Sequence, residues 1–435
     1  MLRVIFAGLR RGKGMDLEAV EMATRAAMQR GGAAVLRELL AMPVESKSNV
    51  PCKCGSAAAY HEMRSKQLLT VVGRIPMQRA YYVCPRCHEG QSPRDRQLDV
   101  EGTEYSPGVR RMMATVGADS SFEQGQEQLQ LLAGVKVTAK AVERHAEAMG
   151  TDIAEREQTN IERALQLELP QVCGPPVPKL YVEMDGTAVP VVAAERAGRV
   201  GKIAGQPART REVKLGCVFT QTGVDEKGRP VRDALSTTYT GAIETAEEFG
   251  RRIYTEAWER GLGRAAKVVV LGDGGVWIWN LAGYHFPGAI QIVDLYHARQ
   301  HIWDVAAKLF PDQQKERKRW ARKWVKKLDA GRIETLVAEL SAFPVPHAEL
   351  LQLLQTEAEY FQRNAERMRY PKFRTQKLFV GSGVIEAGCK TLIGVRLKQS
   401  GMFWTVRGAN AIIALRCNRL SGKFENYWES RQKAA

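Results

Sequence analysis

Between residues 179 and 310 the chain alternates short apolar runs with amphipathic stretches, a rhythm that few architectures accommodate. Residues 179–192, 211–220, 234–239, 267–271 and 289–293 read as strands, and 244–260 and 295–310 as helices. The first strand is expected to be interrupted at Asp185-Gly186. Alternation of this kind lays helices on a sheet, so an α/β domain is expected. The preceding residues 171–178 hold three prolines and a glycine and read as a linker. From 311 to about 374 the periodicity is helical throughout, too long for a plain connection in a compact domain. The α/β domain is therefore expected over 178–310 and 376–420, with a helical insertion at 311–375 and a tail at 421–435.

Length and charge bound the rest. A chain of 435 residues makes about three domains, and 44% apolar residues suffices for real cores. The net charge of +16 makes a polyanion the first partner to expect, a basic protein with no nucleic-acid role being the plain alternative. No apolar run approaches the roughly 18 residues of a membrane span, and the run at 4–7 is too brief for a secretory segment. A cytoplasmic, nucleoid-associated protein is expected. Met15 reads as an alternative start, since Asp16 suits a helix cap.

The region before the linker divides by its cysteines. Residues 1–48 read as a helical segment. In 49–104, Cys52-Lys-Cys54 and Cys84-Pro-Arg-Cys87 flank a strand-like stretch at 67–83, the layout of a zinc ribbon in which paired knuckles offer four thiolates to one Zn²⁺. The first spacer is one residue short of the usual two, so His61 or His88 is an alternative donor, and four free thiols are the plain alternative. Such a domain would present Lys53, Arg74, Arg79 and Arg86. Cys173, Cys217, Cys389 and Cys417 are isolated and read as small buried hydrophobes. In 105–170, Pro107 opens a helix, Ser121 caps a second through Gln130, Gly134 breaks it and Thr138 caps a third. That pattern reads as a helix-turn-helix with Lys136, Lys140, Arg144 and His145 toward DNA, or as an ordinary helical hairpin.

Three stretches carry the chemistry. Asp185 in Tyr-Val-Glu-Met-Asp-Gly, Asp273 in Leu-Gly-Asp-Gly-Gly and Glu386 in Gly-Val-Ile-Glu-Ala-Gly each stand at the edge of an element beside glycine. Three carboxylates are costly to gather in a dry site unless a divalent cation neutralises them, which points to a metal-dependent phosphoryl-transfer centre. Ile385, Cys389 and Leu392 form the inner stripe of a helix with Glu386 at its margin, the alternative being a Glu386–Lys390 surface pair. The insertion opens with Lys315, Arg317, Lys318, Arg319, Arg322, Lys323, Lys326 and Lys327, with Trp320 and Trp324 on the opposite face. Like charges so dense repel unless phosphate lies alongside, and the tryptophans read as a core seam.

The order of zinc ribbon, helix-turn-helix, Asp185, Asp273, helical insertion and Glu386 resembles bacterial insertion-sequence transposases of the DDE class. The likeness is nearest to the ISKra-type family and more distant to the mutator-like group, and it covers nearly the whole chain. Its matches are Glu-Met-Asp-Gly-Thr at 183–187, Arg-Glu-Val-Lys-Leu-Gly at 211–216, Asp294-Leu-Tyr-His297 and Gly-Met-Phe-Trp at 401–404. The resemblance implies a ribonuclease-H-like catalytic domain whose Asp185, Asp273 and Glu386 hold Mg²⁺ or Mn²⁺. A pair of such ions about 3.5–4 Å apart serves in-line displacement at phosphorus. Double-stranded DNA, as transposon ends and target, is the implied partner, with a homodimer or larger synaptic assembly. His297 would contact the scissile strand or shuttle a proton, or be a plain helix histidine linked to Asp294. Trp404 would stack on an unpaired base, or lie in the core. Arg319, Arg322, Lys323 and Lys326 would contact phosphate. Two other functions use the same features: a ribonuclease-H-like nuclease that cuts without joining, and a non-catalytic DNA-binding regulator.

Overall fold

A computed structural model of the chain describes residues 16–42, 47–201 and 208–432, so Met15 and the apolar run at 4–7 lie outside the described residues. The chain divides into two compact units, Met1–Ala146 with Glu425–Ala435, and Glu147–Phe424. The division falls inside one helix, Ala139–Leu165, and not at the proline-rich linker. Among the described residues no helix is long and apolar enough to cross a membrane.

In the first unit, helix α1 (Leu17–Ala41) is capped by Asp16, whose carboxylate accepts from the Ala19 N–H at 3.2 Å. A four-stranded antiparallel sheet follows in the order β1 (Asn49–Pro51), β2 (Ala57–Thr70), β3 (Gly73–Val83) and β4 (Gly90–Gln91). The stretch at 67–83, expected as one strand, instead turns back on itself between β2 and β3, with Gly73 at φ 121° just after the turn. Helix α2 (Pro107–Asp119) starts at its proline under the Ser106 cap, and α3 (Phe122–Gln128) is capped by Ser121. A π turn, Leu129–Ala133, ends at Gly134, whose φ of 69° only glycine adopts freely. Thr138 then caps α4 (Ala139–Leu165), its hydroxyl accepting from Ala141 N–H at 3.1 Å. Val109, Met113, Leu129 and Val142 close an apolar core against Leu69 of β2.

The second unit is built on a mixed five-stranded sheet. Its strands are β5 (Lys179–Pro190), β6 (Thr210–Gln221), β7 (Thr238–Ala242), β8 (Val268–Gly272) and β9 (Ile290–Val293), in the spatial order β9-β8-β5-β6-β7. β5, β6 and β7 run antiparallel, whereas β8 lies parallel to both β5 and β9. The Val-Val-Val-Leu run of β8 is that of a strand covered on both faces, with Val269, Val270 and Leu271 fully buried. The third strand starts later than the alternation suggested: Leu235 is exposed with a left-handed φ of 56°, which ends any strand there. The expected interruption of β5 is also absent, because Asp185 pairs with Leu215 and Gly186 with Lys214 in an unbroken ladder.

Helices α5 (Ala246–Glu259), α6 (Val276–His285) and α7 (Leu295–Leu309) connect or follow these strands. The first carries a full capping box between Thr245 and Glu248. Helices α8 (Gln314–Asp329), α9 (Ile333–Ser341) and α10 (Ala348–Arg363) occupy the stretch expected to be helical. The chain then runs through α11 (Gly383–Gly388), a π turn (Cys389–Gly394) and α12 (Val406–Leu420). Residues 421–435, expected as a tail, hold a further helix, α13 (Phe424–Gln432).

Candidate functional site

The pairing of β5 with β8 brings two of the three acids together. Leu271 is the last residue of β8 in register with β5, opposite Glu183, so Asp273 and Asp185 each stand two residues beyond the same rung. β5 thus runs past its parallel neighbour, and on that side Asp185 emerges at a strand end although β6 continues beside it. Ligands gather at carboxyl ends of parallel strands in such sheets. Burial raises the Asp185 carboxyl above its ordinary range, Asp273 adds to the rise, and bonds from Cys389 and Gly186 oppose it. Asp273 accepts from Gly275 N–H at 2.9 Å and is followed by Gly274 at φ 101°.

Glu386 reaches this edge by way of Cys389. Ile385, Cys389 and Leu392 are buried as the inner stripe, and the Cys389 thiol donates to Asp185 Oδ2 at 3.3 Å. Glu386, three residues earlier, is exposed, and no cation among the described residues lies within ion-pair distance of it, so the surface pair with Lys390 does not form. The three acids are not clustered as tightly as the ribbon cysteines: among the described residues only those cysteines form a set of three or more whose ligand atoms all lie within 4.8 Å of one another.

Two further acids frame the site. Glu183 shares a strand face with Asp185, is fully buried, and accepts from Ile385 N–H at 2.9 Å, which ties α11 to β5. Burial pushes its carboxyl up to about 8, and its second oxygen has no hydrogen-bond partner among the described residues. Sequence reasoning misses it, although an acid two residues before Asp185 in an otherwise apolar strand is a signal for it. Asp294 is buried, caps α7 by accepting from His297 N–H at 2.6 Å, and takes two bonds from Ser382, the residue before α11. His297 is half-buried one turn into α7, near enough to Asp185 that a positive charge on its ring would favour the Asp185 carboxylate.

Trp404 is a correction. It is buried, its indole N–H donates to Leu397 O at 3.1 Å, and its backbone bridges to Val191. A ring held so is a core ring and offers no face to a base; the adjacent Phe403 is the exposed aromatic there.

Cys52, Cys54, Cys84 and Cys87 converge, with Cys52–Cys87 sulfurs at 3.5 Å and Cys54–Cys84 at 3.6 Å. A tetrahedral ion with zinc–sulfur bonds of about 2.3 Å spaces its sulfurs about 3.8 Å apart, so the four thiols fit Zn²⁺ closely. Backbone N–H groups of Cys87 and then Arg86 hold the Cys84 thiol down at about 6. Neither His61 nor His88 joins the set. Of the cations expected around it, Lys53 and Arg86 are exposed, but Arg79 is taken up by Asp95 at 2.8 Å and Arg74 by Glu104 at 2.8 Å. Cys217, Cys389 and Cys417 are buried as expected, whereas Cys173 is exposed.

Of the residues expected to face DNA from a helix-turn-helix, Lys136, Lys140 and Arg144 are exposed, Lys140 pairing with Glu143 at 2.7 Å. His145 is half-buried and packs edge-on against Tyr105 with ring centres 5.0 Å apart, and burial lowers its pKa. Helix α8 sorts its residues by face. Trp320 and Trp324 are buried and stacked at 4.9 Å, while Lys315, Lys318, Arg322 and Lys326 are exposed with no acidic partner among the described residues. Arg319 and Lys323, also exposed, have Glu316 at 3.1 Å and Glu339 at 3.5 Å.

Among known proteins, no family model matches the chain. It is similar to a Streptococcus gallolyticus protein described as "UPF0236 protein in vanSb 3'region", 23% identical over 383 residues, which are 85% of this chain and 75% of that protein. It is also similar to a solved Drosophila P element transposase strand transfer complex, with 9% identity and a TM-score of 0.25 over 78% of this chain and 84% of that one, a level that does not establish a shared fold.

Proposed function

We propose that this chain is a DNA transposase with a ribonuclease-H-like catalytic domain, which binds the ends of its own element, cleaves them and joins them to target DNA. One observation carries the reading: Asp185 and Asp273 stand level at the ends of adjacent strands, and the thiol bond from Cys389 to Asp185 brings the helix of Glu386 to the same edge. The sheet supports it, an antiparallel trio extended by two parallel strands with acids just past β8 and β9. An oxygen-only ligand set suits Mg²⁺ or Mn²⁺, and an Asp185 carboxylate whose charge is disfavoured by burial and by the neighbouring Asp273 suits a cation beside it. Asp185, Asp273 and Glu386 would hold it. When bound it would activate the attacking oxygen and stabilise the leaving 3′ oxygen.

The protein's own groups do the rest. Asp294 locks the start of α7 to the segment before α11, so His297 and Glu386 are set by one buried carboxylate. Lys315, Lys318, Arg322 and Lys326 offer a stripe of unpaired charge to a phosphate backbone. The zinc ribbon, Lys136, Lys140 and Arg144 would contribute to recognising element ends, and a dimer or larger assembly would pair two ends.

The test is incubation with the element ends and Mg²⁺, with nicks mapped at nucleotide resolution. Asp273→Asn is expected to abolish nicking and leave end binding within about twofold. Undiminished cutting by that variant sinks the assignment. A precleaved end yields a strand-transfer product with a transposase and none with a nuclease that only cuts.

A further inference from the structure

The helical insertion reaches back to the candidate site through one turn of α10. The Tyr360 hydroxyl donates to the carbonyl oxygen of Asp273 at 3.0 Å. Its ring fills the space over Gly274, where an added Cβ would lie 2.7 Å from the ring, so glycine there is required twice, for φ and for room. The same ring stacks on His301, centres 4.1 Å apart and planes within 12°. One turn earlier on α10, Glu357 Oε2 lies 2.8 Å from His301 Nδ1. The other nitrogen of His301, Nε2, lies 3.3 Å from His297 Nε2. Both histidines sit on α7 one turn apart, with Asp294 holding its first turn.

With Glu357 ionised and His301 neutral, the protons along this row take one arrangement. An ionised carboxylate only accepts, so His301 carries its proton on Nδ1. Neutral His301 then has a lone pair on Nε2, and the contact to His297 needs a proton supplied by His297 Nε2. His297 is left with an unprotonated Nδ1. The Glu357 and His301 side chains are only 15% and 27% exposed, so water competes poorly for these bonds.

Resting on the transposase reading and deepening it, we infer that Glu357 and His301 are positioning residues that fix the tautomer of His297 and make its Nδ1 the acceptor for the proton of the attacking oxygen. That proton passes to His297 Nδ1 as the oxygen bonds to phosphorus and the bond to the 3′ oxygen breaks, the leaving oxygen taking a proton from solvent. The imidazolium so formed shares its Nε2 proton with His301, whose Nδ1 proton rests on Glu357. A carboxylate contributed by the insertion thereby acts on a histidine of the α/β domain.

The experiment uses the full chain with element-end DNA and Mg²⁺, comparing Glu357→Met, His301→Phe, His297→Ala and the double variant Glu357→Met/His297→Ala. His301→Phe keeps a ring for Tyr360 to stack on. Glu357→Met and His301→Phe are each expected to slow nicking about ten- to hundredfold, with end binding and thermal midpoint held. The double variant should be no slower than His297→Ala alone, because the pair acts only through His297. Wild-type nicking rates in Glu357→Met, or losses that multiply in the double variant, overturn the inference while leaving the transposase reading intact. Absence of nicking by the wild type overturns that reading instead. Independently of activity, ¹⁵N spectra of histidine-labelled protein above pH 8, assigned with the His297 variant, should show His297 protonated on Nε2 in the wild type. A proton on Nδ1 refutes the inference.

Discussion

Glu157 on α4 shows how burial outweighs a single ion pair in this chain. Arg252 lies 2.8 Å away, yet the carboxyl is pushed up to about 7, first by burial and then by Glu256 and Glu259, against the pull of Arg252 and Lys423. Its folded pKa lies above the ordinary 4.5, so the folded chain binds this proton more tightly than the unfolded one. The stabilisation is whole below about pH 4.5, drains as pH rises to about 7, and is gone above. The side chain keeps 30% of its surface, so solvent screening holds the effect well below the roughly 1.4 kcal/mol that each tenfold change in proton affinity would otherwise carry. Glu157→Gln should remove this part of the decline. Thermal midpoints measured from about pH 4.5 to 8 should fall less steeply in the variant than in the wild type; parallel curves would show that Glu157 does not titrate in this window.

At the scale of elements, the two cysteine knuckles hold a sheet with small means. β1 and β4 are three and two residues long, too short to stand without a staple. Four converging thiols supply one if Zn²⁺ binds. Wild-type protein is expected to hold about one zinc per chain, and Cys84→Ser well under half that. Chelation should strip hydrogen-exchange protection from β1 to β4 while β5 to β9 keep theirs. A variant with full zinc content would refute the site.

The same scale shows what is legible in the sequence. Four of the five strands of the larger sheet, the helical insertion and the buried stripe around Glu386 follow from periodicity, because burial on one or both faces writes a regular pattern. The β2–β3 turn escapes it, since Val71 and Val72 carry no turn residue before Gly73. Asp185-Gly186 looks like a break because glycine usually marks one; pairing across the sheet keeps it extended. Trp404 is misplaced by sequence for a related reason: an aromatic reads alike whether it faces a groove or a core, and only packing decides. The Glu357–His301–His297 row lies beyond the sequence, because Glu357 stands 56 residues from His301 and no local pattern joins them.

Over the whole molecule the charge balance of +16 is spread along the chain, but its partners are not. Many arginines are already engaged: Arg252 with Glu157 and Glu244, Arg369 with Glu334 and Glu366, Arg299 with Asp329. These cations are internal fasteners and have little left for an outside anion. The stripe of α8 differs, with Lys318, Arg322 and Lys326 exposed, unpaired among the described residues and spaced four residues apart along one face. Unrelieved repulsion along one stripe costs a helix stability, which phosphate would relieve with release of counterions. Replacing these three residues together with alanine should weaken binding to any duplex, irrespective of sequence. It should also reduce the slope of log affinity against log salt by about 2 to 3, close to one per lost phosphate contact. Fluorescence anisotropy between about 50 and 200 mM salt reads both quantities. An unchanged slope would place the DNA path elsewhere and leave α8 a solvated face over its tryptophan seam.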